Sequence, residues 1–448
     1  MSSMISTASV TPAVSHGYRT YVLCALTVVA FMCSVDRVVI TMFMEPIKKE
    51  FGLTDTDLGL MTGLAFAVMG GVASVPLARW ADSGSRKWII SGSFAVWTVM
   101  TAASGLATNF VQMLAARIGV GIGEAGSNPA THSMLGDYYP RELRPRALAV
   151  QSAGAYLGAL GGLFGGGILV QTIGWRSGFV VLGILGLVLA VIFHFTVREP
   201  LRRVELAPQA PGGTDLPAAS SSHEVGPVRR LIQQLGDLRA FAWLMTAFAT
   251  TSLAGSSVMV WLPSYFARAF TLSPMHIGLG LGLCIGVATA IGSVVGGQMA
   301  VRNAHRARSW GAKFSALVTV VVMPFYLGSF YATSHWVAFG CLFLAFMLAG
   351  NILGPVFSTL QDLVALEARA TAVAVVALVG VLIGQSMGPL LVGLISDALQ
   401  VNGGGADGLR TAMTCMALIN FLTIVAFWAL GRRIDMLHPP QGVKSAST

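Results

Sequence analysis

The sequence is short of charged residues, and this excludes most soluble proteins. Only 10% of its 448 residues are charged and 54% are apolar, whereas soluble domains carry roughly 25% charged residues. The apolar residues form continuous runs rather than short alternating segments, which excludes an outer-membrane β-barrel. A helical protein that crosses a membrane several times remains.

Several motifs that carry chemistry are also missing. The five cysteines lie inside apolar runs without a CxxC pair, and the eight histidines have no partner at metal-ligand spacing. Disulfides and metal sites are therefore not expected. The chain has no GxxxxGK[ST] loop, so nothing points to ATP or another cofactor. The first 17 residues lack the apolar core of a cleavable signal peptide, and we expect the first span to serve as the insertion signal.

What the sequence does contain is twelve apolar segments of the length that a spanning helix needs, about 20 residues. They run approximately over residues 18–42, 58–77, 88–106, 110–133, 147–170, 179–197, 241–266, 276–300, 312–331, 336–356, 371–395 and 409–430. The polar stretch 198–240 separates six spans from six. Its middle has the composition of a flexible linker, and 228–239 has the spacing of a short amphipathic helix. The predicted domains are 1–197, the cytoplasmic linker 198–240, and 241–448.

The basic residues predict the orientation in the membrane. With both termini in the cytoplasm, 21 of the 28 Lys and Arg lie in inner segments and five in outer loops, a strong positive-inside bias. We therefore read the net charge of +9 as membrane orientation and expect no nucleic-acid partner. A basic loop follows the second span and another follows the eighth, so the halves look like repeats. Two pseudo-symmetric six-helix bundles are typical of alternating-access carriers, with a site between them.

Four charged residues lie inside spans, all in the first half: Asp36 and Arg37 in span one, Arg117 and Glu124 in span four. Each costs about 2.5–3.5 kcal/mol at a helix centre, which points to function. Helix rise places Asp36 and Arg117 at similar depth and predicts an ion pair between them, with Glu124 near the midplane. Burial disfavours a charged carboxyl while a nearby Arg favours it, so Asp36 and Glu124 are the predicted proton-coupling residues. A static ion pair that fixes helix packing is the alternative.

The two arginines are the predicted substrate-binding residues. Arg117 would bind an anionic group, and Arg37 either does the same or extends to the outer membrane surface. Other polar side chains in the second half are candidates to line the cavity, with interhelical hydrogen bonds as the alternative: Thr250, Thr251, Ser252, Ser256, Ser257, Trp261, Asn351 and Gln385.

The loop 78–87, ARWADSGSRK, resembles the signature G-x-x-x-D-R-x-G-R-K of the major facilitator superfamily, with Ala78, Ser83 and Ser85 departing from it. This resemblance implies that Asp82 meets a helix terminus and that Arg86 holds a cytoplasmic gate. An acid near a helix N-terminus and a base at the cytoplasmic face would be stabilising in any case.

Segment 117–125, RIGVGIGEA, together with Asp36-Arg37 and Gly174-Trp175-Arg176, looks like the spinster-like branch of that superfamily. The resemblance covers nearly all the chain except the linker and the termini. Family members are associated with export of lysophospholipids and sphingolipid-type amphiphiles, and bacterial members are regarded as proton-dependent. The resemblance implies proton coupling through Asp36 and Glu124 and a substrate role for Arg117.

The sequence thus predicts a proton-coupled secondary active transporter for an amphipathic anionic lipid. A proton-coupled carrier of a small organic anion is the first alternative, and a membrane sensor is the second. An enzyme is disfavoured because no nucleophile–base or metal constellation is found. The expected partners are protons, membrane lipids and the solute, and the expected form is a monomer in a bacterial inner membrane.

Overall fold

A computed structural model of the chain describes residues 15–64, 70–74, 76–77, 80, 84–140, 142–200, 236–303, 308–365, 369–399 and 405–437. The helices of the first half are α1 (His16–Phe51), α2 (Asp55–Gly59, continued by the π-helical turn Leu60–Leu64), α3 (Arg86–Leu106), α4 (Phe110–Ala125 and Ser127–Tyr138), α5 (Arg144–Thr172) and α6 (Gly174–Thr196). Those of the second half are α7 (Leu238–Ala269), α8 (Pro274–Arg302), α9 (Trp310–Phe330), α10 (His335–Leu363), α11 (Thr371–Leu399) and α12 (Ala406–Leu437).

Helix α1 extends nine residues beyond residue 42, where its predicted span ended. The extension carries polar residues such as Glu45, so its hydropathy falls, but Phe43 and Ile47 stay fully buried and continue the packed face. The helix ends at Gly52, whose left-handed backbone (φ 65°) closes the last turn by bonding to the Lys48 carbonyl. Hydropathy thus marks the apolar part of α1 rather than its true end.

Helix α4 is interrupted at Gly126, which separates Phe110–Ala125 from Ser127–Tyr138. Pro129 lies three residues further on and has no N–H to donate to the carbonyl of Ala125. The fourth predicted span is therefore two shorter helices.

Ten helices of the described chain are long and apolar enough to cross a bilayer, namely α1, α3 and α5 to α12. Helix α2 is described only in part, and each segment of α4 is short. The protein is all-helical and multi-pass, while the count of twelve spans and the cytoplasmic position of both termini stay predictions. The linker 201–235, with most of its predicted amphipathic helix, lies outside the described residues.

The helix pairing of the first half repeats in the second. Helix α1 packs on α5 and α3 on α6, just as α7 packs on α11 and α9 on α12. Between the halves, α2 contacts α11 and α8 contacts α5. Adding six to each helix number maps one pattern onto the other, so the two halves are pseudo-equivalent.

Glycines bring the helices of the two halves close together. A Cβ on Gly278 of α8 would lie 2.2 Å from the Leu163 carbonyl of α5, and one on Gly59 of α2 would lie 2.5 Å from the Pro389 carbonyl of α11. Helices α2, α8 and α11 each also contain a π-helical turn. Such wide turns are common at functional sites, and here they lie on helices that join the halves.

Candidate functional site

A cavity of about 600 Å³ lies between the two halves, within the size range of sites that hold drug-sized ligands. Its charged lining residues, Asp36, Arg37 and Arg117, all come from the first half. The second half contributes four polar side chains: Thr251, Ser252, Ser256 and Gln385. The rest of its wall is apolar: Phe248, Met259, Val260, Ile285, Ile352, Leu353, Val356, Ala377, Val381 and Phe427.

The other four polar candidates of the second half make hydrogen bonds within the protein instead. Trp261 Nε1 donates to the Pro389 carbonyl at 2.9 Å, and Asn351 Nδ2 donates to a carbonyl of its own helix at 2.8 Å. Ser257 donates to a carbonyl one turn earlier, and Thr250 accepts from Thr423. The sequence could not separate these two groups because both consist of single hydrogen-bonding side chains scattered along apolar helices.

Asp36 lies in the buried middle of α1 and its carboxyl group meets a hydroxyl from α3. Oγ1 of Thr101 lies 2.8 and 2.7 Å from the two carboxyl oxygens, so its single proton serves one of them at a time. The carboxyl is 5% exposed and lines the cavity. Asp36 therefore has a neutral hydrogen-bond partner within the protein and access to the cavity.

Arg117 does not pair with Asp36, and the predicted ion pair between them was wrong. Its Nε and Nη2 donate to Oγ of Ser104 at 3.1 and 2.6 Å, and its guanidinium lies 4.9 Å from the centre of the Phe179 ring. Ser104 and Thr101 are one turn apart on α3, so this helix supplies a hydroxyl to each charged group. Among the described residues Arg117 has no carboxylate partner. A buried cation that no carboxylate contacts directly favours an anion in the cavity.

Arg37 extends toward Glu124 rather than to the membrane surface, with 2.6 Å between Nε and Oε2. The Arg37 side chain borders the cavity, whereas Glu124 lies behind it and is 2% exposed. The other oxygen, Oε1 of Glu124, is buried without a hydrogen-bond partner among the described residues. Such an oxygen costs about 1–3 kcal/mol, or more when charged, and a proton there removes the charge.

The two predicted gate residues have different outcomes. Asp82 lies outside the described residues. Arg86 is buried at the start of α3, where it contacts Asp137 of α4 and Glu199 after α6. The Glu199 carboxylate also accepts from the backbone N–H groups of Arg86 and Lys87 at 3.1 and 2.7 Å. These contacts join three helices of the first half, and the gate function stays a prediction.

A cluster of ion pairs joins the halves at the end of the bundle where α1 ends, which we name the distal cluster. Its centre is Asp55 at the start of α2, fully buried. Arg268 of α7 donates to both Asp55 oxygens at 2.8 and 2.7 Å and to Glu45 at 2.9 Å. Lys48 and Ser396 also donate to Asp55. Sequence reasoning missed the cluster because Asp55 and Arg268 are remote in the chain and sit in predicted loops.

Asp397 of α11 adds a second link at the same end. Its carboxylate accepts from the backbone N–H groups of Asp55 and Thr56 at 3.0 and 2.7 Å, and from the Thr56 hydroxyl. These are N–H groups of the first turn of α2, which have no partner inside the helix. The second half therefore caps a helix of the first half.

Known proteins give the context for this geometry. Residues 26–389 match the sequence model of the Major Facilitator Superfamily. An MFS-type efflux pump of Mycolicibacterium smegmatis is 30% identical over 91% of each chain. A probable galactarate/D-glucarate transporter of Bacillus subtilis is 26% identical over 77% of this chain and 78% of its own.

A solved structure is similar over nearly the whole chain. It is the crystal structure of a bacterial homolog to the human lysosomal transporter Spinster, in an inward-facing and unoccupied conformation. The alignment covers 94% of this chain and 99% of the homolog, with a TM-score of 0.82 and 26% sequence identity. With two pseudo-equivalent helical halves around one cavity, the chain belongs to the Major Facilitator Superfamily and is a transporter of the spinster-like kind.

Proposed function

We propose that the protein is a proton-coupled carrier that works by alternating access and moves an amphipathic anionic lipid of the lysophospholipid or sphingolipid class. The observation that carries this proposal is the division of the cavity. Arg117, without a carboxylate partner among the described residues, borders one side, and the second half supplies a mostly apolar wall on the other. The guanidinium suits an anionic head and the wall suits an acyl chain.

The pairing of Arg37 with Glu124 supports proton coupling. A proton on Oε1 of Glu124 neutralises the carboxyl and weakens its hold on Arg37, which can then reach an anion in the cavity. An anion that attracts Arg37 in turn favours the protonated form of Glu124, because linkage is reciprocal. Asp36, with a neutral hydroxyl partner, is the second coupling residue in this proposal.

The distal cluster supports alternating access. It fastens α2 to α7 and α11 at one end of the cavity, and the similar Spinster homolog is inward-facing. We propose that the described state is closed outward and open to the cytoplasm. Arg86, together with Asp82, would hold the cytoplasmic gate in the opposite state. The carrier would act as a monomer in the bacterial inner membrane, with both termini cytoplasmic.

A small organic anion is the second candidate substrate. The hydroxyl and amide groups of Thr251, Ser252, Ser256 and Gln385 border the same cavity as Arg117 and suit a solute that bears both carboxylate and hydroxyl groups. The relative from Bacillus subtilis carries the name of a galactarate/D-glucarate transporter. The same proton-coupling residues would serve this solute.

The experiment that tests the proposal is proton flux into proteoliposomes that contain a pH-sensitive dye. Lysophosphatidylglycerol and galactarate are added in separate experiments, with protein-free liposomes as the control for leakage. We expect flux with the lysolipid. Flux with galactarate alone would favour the second candidate, and no flux with either would contradict proton-coupled transport of both.

The Glu124→Gln variant tests the coupling residue in the same assay. Glutamine can still accept a hydrogen bond from Arg37 but cannot take up the proton, so we expect a folded protein without proton flux. Glu142→Gln is the matched control, because Glu142 is an exposed carboxylate in a loop. Unchanged flux in Glu124→Gln would remove Glu124 from the proposal.

A further inference from the structure

A second cavity, separate from the central one, lies on the outside of the bundle between α7 and α12. It has a volume of about 560 Å³ and is lined by Arg239 and Trp243 of α7 and by one face of α12, namely Ile424, Val425, Trp428, Ala429, Arg432, Arg433 and Met436. These are the start of α7 and the end of α12, so the groove lies at the end of the bundle that is predicted to face the cytoplasm. We name it the α7–α12 groove.

The groove changes from apolar to basic along the helix axis. Val425 and Trp428 lie toward the interior of α12, and the adjacent Arg432 and Arg433 follow about two turns after Val425. From Val425 to Arg432 the helix rises about 10 Å. Trp428 is 53% exposed and Trp243 is 39% exposed on the bundle surface. Tryptophan at this level is typical of the boundary between hydrocarbon and headgroups.

The basic end of the groove has an excess of positive charge. Arg433 is neutralised by Asp237, with 2.6 Å between Nε and Oδ2, and Asp237 also accepts from the backbone N–H of Arg239. The side chains of Arg239 and Arg432 are exposed and form no ion pair within the described chain. The guanidinium groups of Arg239 and Arg432 are therefore available to bind an anion next to the apolar part of the α7–α12 groove.

We propose that the α7–α12 groove binds an anionic phospholipid of the cytoplasmic leaflet. Arg239 and Arg432 hold the phosphate, since the guanidinium fork matches phosphate oxygens, and an acyl chain lies along Trp428 and Val425. Basic pockets between spanning helices at the cytoplasmic side are suited to lipid headgroups. The bound lipid is a resident of the carrier surface, distinct from the transported solute of the central cavity.

The test measures lipid binding by native mass spectrometry of the full chain in detergent, with phosphatidylglycerol, phosphatidylcholine and inorganic phosphate as separate probes. We expect phosphatidylglycerol to bind at least tenfold more tightly than phosphatidylcholine. Arg239→Gln/Arg432→Gln should weaken phosphatidylglycerol binding about 10- to 30-fold, since each arginine near a membrane surface contributes roughly one factor of five. The matched control is Arg146→Gln/Arg302→Gln, which removes two exposed arginines outside the groove and should leave binding within twofold.

Several outcomes would overturn the proposal. Equal binding of phosphatidylglycerol by the double variant and the wild type would do so, as would equal binding of the two lipids by the wild type. Displacement of phosphatidylglycerol by inorganic phosphate at equal concentration would show an anion site that ignores the acyl chain. The comparisons among phosphatidylglycerol, phosphatidylcholine and inorganic phosphate use the wild-type protein alone. If the double variant fails to fold, the single variant Arg432→Gln replaces it.

Discussion

At the scale of single residues, two hydroxyls of α3 take the place that ion pairs were expected to fill. Thr101 bonds to Asp36 and Ser104 bonds to Arg117. A hydroxyl partner does not neutralise the charge of either group, so both remain able to respond to a proton or an anion in the cavity. An ion pair between them would have satisfied the two charges and closed the site to both.

Replacing Thr101 by Val should lower the stability of the protein, although valine has nearly the same shape as threonine. The change leaves the buried Asp36 carboxyl without its partner, which costs about 1–3 kcal/mol. We expect a lower midpoint of thermal denaturation in detergent and slower proton flux. Thr98→Val is the matched control, since Thr98 is equally buried on α3 but donates only to carbonyls of its own helix. Equal effects of the two changes would show that the hydroxyl of Thr101 has no special part.

The sequence located the charged residues of the site but not their partners. Asp36, Arg37 and Arg117 were found because charges in apolar spans are rare and expensive, and all three border the cavity. The pairing of Arg37 with Glu124 could not be predicted. Spacing along a helix shows on which face a residue lies, but not which residue of another helix it contacts. Thr101 gave no signal, since many hydroxyls on such spans bond only to their own helix.

At the scale of elements, the distal cluster should control which side of the carrier is open. Asp55→Asn weakens the ion pairs with Arg268 and Lys48, so we expect a larger outward-open population. Spin labels at Lys49 and Thr271, in a background without native cysteines, report this by double electron–electron resonance as an added longer distance. Asp57→Asn is the control, because the partner of Asp57 within the described part of the chain is Thr54 of the same turn. A distance distribution like that of wild type in Asp55→Asn would contradict the role of the cluster.

The contribution of Asp55 to this measurement should not depend on pH near neutrality. Burial raises the pKa of Asp55, but hydrogen bonds from Arg268, Lys48 and Ser396 outweigh it and hold the pKa well below its ordinary value. A lowered pKa keeps the interaction intact above the ordinary value of about 3.9, and it is lost only as the pH falls through the folded-state pKa. We therefore expect the difference in distances between Asp55→Asn and the wild type to persist from about pH 5 to 8, because the proton-coupling carboxyls act equally in both, and loss of that difference within the range would contradict the assignment.

The glycine contact between α5 and α8 should tolerate no methyl group. Gly278→Ala places a Cβ 2.2 Å from the Leu163 carbonyl, so the helices must separate. We expect a lower denaturation midpoint and slower transport. Gly297→Ala on the same helix meets nothing within 4 Å and should be neutral or stabilising by about 0.5–1 kcal/mol, because Ala favours helix. Equal destabilisation by both would show that the contact is unimportant.

The helices were predicted well where hydropathy alone sets their bounds, and poorly where packing or a proline sets them. Helices α5 to α12 lie where the apolar runs placed them. The extension of α1 and the interruption of α4 escaped prediction because buried contacts and one proline decide them, and neither changes mean hydropathy in a distinctive way.

At the scale of the whole molecule, the orientation of the bundle is open to a direct test. With both termini inside, green fluorescent protein fused after the C-terminus should fluoresce and alkaline phosphatase fused there should be inactive. Alkaline phosphatase inserted after Thr271, in the predicted outer loop between α7 and α8, should be active. The opposite pattern would reverse the orientation, and activity at both positions would change the predicted number of spans.

The link made by Asp397 differs in kind from the link made by Arg268. Arg268 meets side chains, so loss of its charge can be offset by a second change, for example an exchange of charges between positions 55 and 268. Besides the Thr56 hydroxyl, Asp397 accepts from two backbone N–H groups of α2, and no codon change in α2 other than one to proline removes such an N–H. In a genetic selection for restored transport, second-site suppressors of Arg268 variants should arise in α2, whereas Asp397 variants should recover by same-site changes that return an acceptor to position 397.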